Sequence, residues 1–359
     1  MKALSIVCHE CDNHVFLPTL RHKQAAMCPR CGLQLTVFHD NASQKIIALA
    51  TTALIFLLAS LPFEFLSFNA RGQENSTNMF ASLWTLVENG YALLALIEFI
   101  AVLLLPAFIL ISLLYLLIPM SVGIRPAKSA WMIKTLFKLL PWTMAEIFLI
   151  GVLVSLIKIV SMADVELGLS FYAYLVFTLF MTITLLYVDQ YQLQLLLDEE
   201  PPKHRPIEAS LNIQTTWALL LTSVLLFIPA NILPIMHTTV LGANEPSTIL
   251  GGIILLWKTG SYPIAIVIFV ASLFVPIAKI IILCWLNYSV QAKHQHSYIE
   301  RMFWYRVTEF IGRWSMIDVF VVAILVSLIQ IGNIMNILPG HAALAFCGVV
   351  VCTMLAAMS

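Results

Sequence analysis

Eight stretches of this chain stay apolar for long enough to cross a bilayer, and that leaves little choice of fold. A hydrocarbon core about 30 Å thick needs roughly 20 apolar residues in helical form, since a helix satisfies its own backbone polar groups there. The runs are 45–67, 91–118, 142–160, 169–189, 214–236, 261–286, 314–332 and 340–358. Turn or charge signals separate them, among them Arg71-Gly72-Gln73-Glu74-Asn75, Glu199-Glu200-Pro201-Pro202-Lys203 and Gly242-Ala243-Asn244-Glu245-Pro246. Only 11% of the 359 residues are charged and 60% are hydrophobic, with a mean hydropathy of +0.93. A water-soluble domain carries about 25% charged residues, so most of this surface is expected to face lipid. The zero net charge points to no nucleic-acid partner.

The first forty residues are polar and cysteine-bearing and show no cleavable signal peptide. The run from about Ile46 to Phe68 is therefore expected to act as an uncleaved anchor. Basic residues set the orientation. Fifteen lysines and arginines fall in the N-terminal tail and the even-numbered loops, whereas the opposite loops carry only Arg71 and Lys258. The excess marks the cytoplasmic side, which predicts cytoplasmic N- and C-termini. Two basic connections, 125–139 and 293–310, mix their charges with Trp131, Phe137, Phe303 and Trp304 and read as helices lying in the membrane interface.

The two halves of the chain match at an offset of about 170 residues. Trp142-Thr143-Met144-Ala145-Glu146-Ile147-Phe148 answers Trp314-Ser315-Met316-Ile317-Asp318-Val319-Phe320, and Leu153-Val154-Ser155-Leu156-Ile157 answers Leu325-Val326-Ser327-Leu328-Ile329. Pro62 answers Pro234, Pro106 answers Pro276, and Gly168 answers Gly340. Four spans per half, an even number, give both halves one orientation, with the pseudo-axis along the membrane normal. The expected fold is an all-α polytopic membrane protein of eight transmembrane helices in two parallel four-helix repeats, behind a small N-terminal zinc ribbon. The expected units are the ribbon at 1–40, a first repeat at 45–190, a linker at 191–213 and a second repeat at 214–359.

The ribbon rests on Cys8-x2-Cys11 and Cys28-x2-Cys31, two knuckles sixteen residues apart, with Gly32 following the second. Paired CxxC knuckles at this spacing supply four thiolates for a closed tetrahedral site. Zinc suits soft thiolates kept reduced in the cytoplasm, and a rubredoxin-like iron is the alternative. Cys284, Cys347 and Cys352 lie in spans and read as small apolar residues.

Ionisable groups inside spans are costly and often functional. Here they are Glu98, Glu146, Lys158, Lys279 and Asp318. Helical rise places Glu98 and Lys158 in the same outer half, within approach of each other, and Lys279 and Asp318 toward the inner side. The plainer reading is that both lysines snorkel and that Glu146 and Asp318 merely complement helix N-termini. Asn231, followed by Pro234, predicts a broken or kinked fifth span, and Pro276 a kink in the sixth. No nucleophile motif, phosphate-cradling loop or open metal site is present, which argues against an enzyme.

With these residues assembled, the chain resembles the paraquat-inducible protein A family over essentially its whole length. The resemblance is carried by the CxxC pair, by Pro229-Ala230-Asn231-Ile232-Leu233-Pro234-Ile235, by Gly312-Arg313-Trp314-Ser315-Met316-Ile317-Asp318 and by the duplication. It implies a bacterial inner-membrane protein that works with an MCE-domain periplasmic partner, loads or receives phospholipids at the base of a conduit and maintains the envelope. It departs from the family in one respect: members usually carry a second four-cysteine ribbon between the halves, and Asp189 to Leu211 holds no cysteine. The expected function is therefore an intermembrane lipid transport subunit in which the intramembrane polar residues gate passage. The alternatives are a membrane anchor and assembly platform for the MCE partner, and a redox protein with an iron-bearing ribbon.

Overall fold

The computed structural model describes residues 4–8, 11, 13–17, 24–37, 41–70, 73–159, 164–196, 209–240, 243–258, 260, 262–292, 298–328, 330–331 and 335–358. Two antiparallel hairpins open the chain, β1 (Leu4–Val7) with β2 (His14–Leu17) and β3 (Ala25–Met27) with β4 (Gln34–Val37). Helix α1 (Ala42–Ala59) follows, then a hairpin of β5 (Leu66–Ala70) and β6 (Gln73–Thr77) and the short helix α2 (Met79–Glu88). Asn78 starts α2 by accepting a hydrogen bond from the Ala81 amide at 2.7 Å, which satisfies one of the donors a helix start leaves free.

Helix α3 (Ala92–Glu98) runs through a π-helical turn, Phe99–Leu104, into α4 (Leu105–Ser121). Helices α5 (Ser129–Leu139) and α6 (Ala145–Ile159) are joined by a 3₁₀ turn at Leu140–Trp142. Strand β7 (Asp164–Leu167), helix α7 (Leu169–Tyr187) and helix α8 (Gln190–Leu196) complete this series.

The same order then recurs. It begins with α9 (Ala209–Ile232), the hairpin of β8 (Met236–Val240) and β9 (Ala243–Ser247), and the short α10 (Ile249–Lys258). Helix α11 (Tyr262–Phe269) leads through a second π turn, Val270–Phe274, into α12 (Val275–Gln291). Helices α13 (Tyr298–Trp314) and α14 (Ile317–Leu328), strands β10 (Gln330–Ile331) and β11 (Met335–Pro339), and α15 (His341–Met358) end the chain.

Among the described residues seven helical stretches are long and apolar enough to cross a membrane: Ala42–Ala59, Ala92–Ser121, Ser129–Leu156, Leu169–Tyr187, Ile213–Ile232, Val270–Gln291 and His341–Met358. The fold is mostly helical, and the chain is a multi-pass membrane protein. The stretch expected at 314–332 is shorter: α14 has 12 residues, about 18 Å of helix. Its far end pairs as a strand, Gln330 opposite Asn336 and Ile331 opposite Met335.

Strands correct the all-α expectation. Beyond the ribbon lie a three-stranded sheet in the order β6-β5-β7 and a four-stranded sheet in the order β10-β11-β8-β9. The first anchor ends at Ala59 rather than near residue 67, because Leu66–Ala70 joins that sheet. A period-two segment does not announce itself inside an apolar run, so its strands read as helix or loop. The connections expected as outer loops also contain the short helices α2 and α10. The two basic connections are helical, as α5 and α13.

Both π turns precede a proline. Pro106 and Pro276 lack an N–H, so the ladder slips to five-residue spacing, with Leu105 donating to Ile100 and Val275 to Val270. The carbonyls that Pro106 leaves without an intrahelical donor are satisfied from other helices: Tyr174 Oη donates to Val102 O at 3.3 Å and the Met144 amide to Ala101 O at 3.3 Å. Fully buried polar backbone needs such partners in an apolar bundle.

Helices α1, α4 and α7 pack together, as do α9, α12 and α15, and the two groups meet through α6 and α14. At that meeting the rings of Phe148 and Phe320 stand edge to face with centroids 5.8 Å apart. A Cβ on Gly151 would come within 3.2 Å of Phe320 Cβ, so the small residue permits the close approach. Gly168 and Gly340 begin α7 and α15 against the backbone of Glu64 and Pro234. Their amides donate to Phe65 O at 3.1 Å and Ile235 O at 2.7 Å.

Candidate functional site

At the ribbon, β1 delivers Cys8 and β3 delivers Cys28 into tight turns. The Cys8 amide donates to Asn13 O at 3.0 Å and the Cys28 amide to Leu33 O at 2.7 Å. Gly32, at φ +68, turns the chain back into β4. The four sulfurs are buried and lie within 4.8 Å of one another, with Cys8–Cys31 at 3.6 Å and Cys11–Cys28 at 3.4 Å. Tetrahedral thiolates around zinc at about 2.3 Å stand about 3.8 Å apart, so the cluster fits a metal ion of that size. Burial alone pushes the Cys28 thiol up, but hydrogen bonds from the Cys31 and Arg30 backbone outweigh it and bring it down to about 7. Burial and shared thiol protons push Cys11 up. A cluster of this kind can hold a metal ion with no coordination position left for chemistry. His14 is exposed, away from the ligand set.

The ribbon is clamped to helices from both series. Tyr191 of α8 and Met302 of α13 pack against the buried cysteines. Asp189 accepts from the Val37 amide at 3.2 Å, and Gln192 Nε2 donates to Val37 O. Arg306 Nη2 donates to Cys31 O at 3.2 Å, and Arg30 Nη1 to Cys11 O at 3.2 Å. The sequence reading missed this clamp. Its sequence trace is the polar cluster directly after α7, but nothing in it shows which surface it meets.

Within the helical bundle two ionisable side chains are buried without a partner among the described residues, Glu98 through Oε2 and Lys279 through Nζ. Glu98 is 5% exposed and Lys279 only 1%. The reading of Lys279 as a snorkelling lysine is thereby corrected, because its ammonium stays inside. It lies over Gly312 of α13, where a Cβ would come within 2.8 Å of Nζ and 3.2 Å of Cε. Pro276 is buried one turn before it, at the start of α12.

Glu146 is exposed in the first turn of α6 and accepts from Thr182 Oγ1 at 2.6 Å. Helix α9 stops at Ile232, one residue after Asn231 and short of the expected 236, and the chain enters β8 past Pro234; the Asn231 side-chain amide donates to Phe227 O at 2.9 Å, while its buried Oδ1 has no partner among the described residues. Lys158 belongs to α6 and Asp318 to α14, but their side chains lie outside the described residues, and so does the expected approach of Lys158 to Glu98.

Glu98 stands where α3 becomes the π turn and faces a small cleft that is partly open to the surface. Phe65, Met79 and Leu83 line it from one series, and Ile324 reaches it from α14. The cleft therefore lies between elements of both halves of the chain. The sequence offered Glu98 but not the cleft.

A sequence profile described as paraquat-inducible protein A matches residues 43–196 and 213–359. The chain belongs to the paraquat-inducible protein A family. Among relatives in this family, the intermembrane transport protein PqiA of Escherichia coli strain K12 is 38% identical over 395 aligned residues, covering 99% of this chain and 94% of that protein. A probable intermembrane transport protein of Haemophilus influenzae is 29% identical, covering 97% of this chain and 92% of its own length. The lipophilic envelope-spanning tunnel protein A of E. coli strain K12 is 28% identical over 97% of this chain and 88% of its own. No solved structure matches the chain. The two segments matched by the family profile leave 197–212 between them, overlapping the stretch from Asp189 to Leu211 that holds no cysteine.

Proposed function

We propose that this chain is the inner-membrane subunit of an intermembrane lipid transport system, passing phospholipid to or from an MCE-domain periplasmic partner. The observation that carries the reading is the pair of buried, unpartnered ionisable groups, Glu98 beside a cleft and Lys279 inside α12. Groups of this kind are expensive in a bundle and are retained where something passes or switches. Relatives named as intermembrane transport proteins support the same class of activity.

In this reading α14 is an eighth, shortened span. The halves are two parallel repeats, supported by the recurring element order and by the meeting of Phe148 with Phe320, which answer each other in the sequence repeat. Both termini and the ribbon lie in the cytoplasm in this reading, and the two strand sheets on the periplasmic side, which the excess of basic residues in the even-numbered loops supports. Zinc occupies the four thiolates and braces the ribbon against α8 and α13. Lys279, Glu98 and Lys158 gate the lipid path, with Asp318, Glu146, Asn231 and Pro276 shaping it.

Gentle purification of the full chain from native membranes, with mass spectrometry of co-purifying proteins, lipids and metal, tests the proposal. An MCE-domain protein with bound phospholipid is expected. A partner without lipid would favour an assembly platform, iron in place of zinc would favour a redox role, and neither partner nor lipid would remove the transport reading.

A further inference from the structure

The cleft beside Glu98 has one wall unlike the others. Its floor and sides are apolar, formed by Phe65, Met79, Leu83 and Ile324, while Thr77, Asn78 and Ser82 give one edge hydroxyl and amide groups. Among the described residues that line it, Glu98 is the only ionisable one, with no lysine, arginine or histidine beside it. Its Oε2 is buried and has no partner among the described residues. Tyr174, the nearby hydroxyl that could have served it, is instead committed to Val102 O, whose own helical donor Pro106 cannot supply. A carboxyl group held away from water, with no partner among the described residues, either keeps its proton or pairs with a donor brought in from outside the fold.

The cleft is thus amphipathic, with a carboxyl group, a rim of neutral polar groups and apolar walls. A ligand complementary to it carries an ammonium for the carboxylate, oxygens for the rim and a hydrocarbon chain for the walls. An anionic headgroup finds no cationic partner among the described lining residues, and a quaternary ammonium offers no N–H to the carboxyl group. We infer that this cleft binds an aminophospholipid, with the primary ammonium of an ethanolamine headgroup donating to Glu98. The inference rests on the lipid-transport reading and names the headgroup class it takes. The π turn contributes by displacing Phe99, Val102 and Leu103 from regular helical positions along the cleft wall.

The test is native mass spectrometry of the purified full chain after incubation with an equimolar mixture of phosphatidylethanolamine, phosphatidylglycerol and phosphatidylcholine. The wild-type protein is expected to retain the ethanolamine lipid roughly tenfold over the other two, the scale of one charge-assisted hydrogen bond. Glu98→Gln, nearly the same shape, should bring the ratio to parity while lipid still binds elsewhere. If Glu98→Gln does not fold, Leu83→Trp, which fills the cleft from α2 and leaves the carboxylate in place, should abolish the preference instead. Phospholipid bound without headgroup preference in the wild-type chain, or a preference unchanged in either folded variant, overturns this assignment and leaves the transport reading standing. No phospholipid bound to the wild-type chain at all overturns both.

Discussion

Phe148 and Phe320 face each other edge to face, 5.8 Å between ring centroids, and each occupies the same place in its own half of the sequence repeat. Helices α6 and α14 therefore meet through equivalent residues. Ser155 reinforces the contact by sharing its hydroxyl between Gly151 O at 2.8 Å and Val321 O at 3.4 Å.

That contact depends on a missing side chain. Gly151→Leu forces a branched group into space already within van der Waals reach of Phe320, and packed interfaces lose about 1–3 kcal/mol to such overpacking. Thermal unfolding in detergent should show this loss. Gly252→Leu, where nothing lies within 4 Å of an added Cβ, should be nearly silent apart from propensity.

Tyr174 and Pro106 form a compensated pair. Tyr174→Phe leaves the Val102 carbonyl without its donor and should cost about 1 kcal/mol, near the range for hydrogen bonds between transmembrane helices. Pro106→Ala restores an N–H that can serve the same carbonyl in a regular helical turn. The cost of Tyr174→Phe should therefore shrink in the Pro106→Ala background. Equal costs in the two backgrounds would show that the hydroxyl serves another purpose.

Lys279 separates stability from function. A buried amine with no partner among the described residues costs free energy, so Lys279→Met should raise unfolding stability by about 1–3 kcal/mol. The same variant should fail to restore envelope resistance in a deletion strain. Gly312→Ala crowds Nζ and should impair the protein through the lysine, with a smaller effect when Lys279 is already Met. Full activity of Lys279→Met would end the gating role assigned to this residue.

Metal removal should act on the ribbon alone. Chelation or Cys28→Ser should release the clamp made by Arg306, Gln192 and Asp189, exposing β4 to limited proteolysis while the helical bundle keeps its unfolding temperature. Arg306→Ala should loosen the same contact with the metal still bound, which elemental analysis of the purified variant can check.

Much of this protein is determined by local chemistry and was legible in the chain alone. Apolar runs of sufficient length must be helical in lipid, so the anchors at 169–187 and 341–358 match the expected positions closely. The cysteine spacing alone was enough to bring four sulfurs together, because each knuckle is a single tight turn. The equivalence of Pro106 with Pro276 and of Gly168 with Gly340 reappears as paired π turns and paired close approaches.

Tertiary structure decided what depends on partners distant in sequence. Leu66–Ala70 is a strand because β6 and β7 lie beside it, and β7 is contributed by residues nearly a hundred positions later. Whether Lys279 reached water depended on α13 covering it, and helical periodicity carries no record of that cover. Glu98 came to line a cleft only when α2 and α14 brought apolar walls beside it. Period and spacing record what a segment must be, whereas burial and partnership belong to the neighbours that the fold supplies.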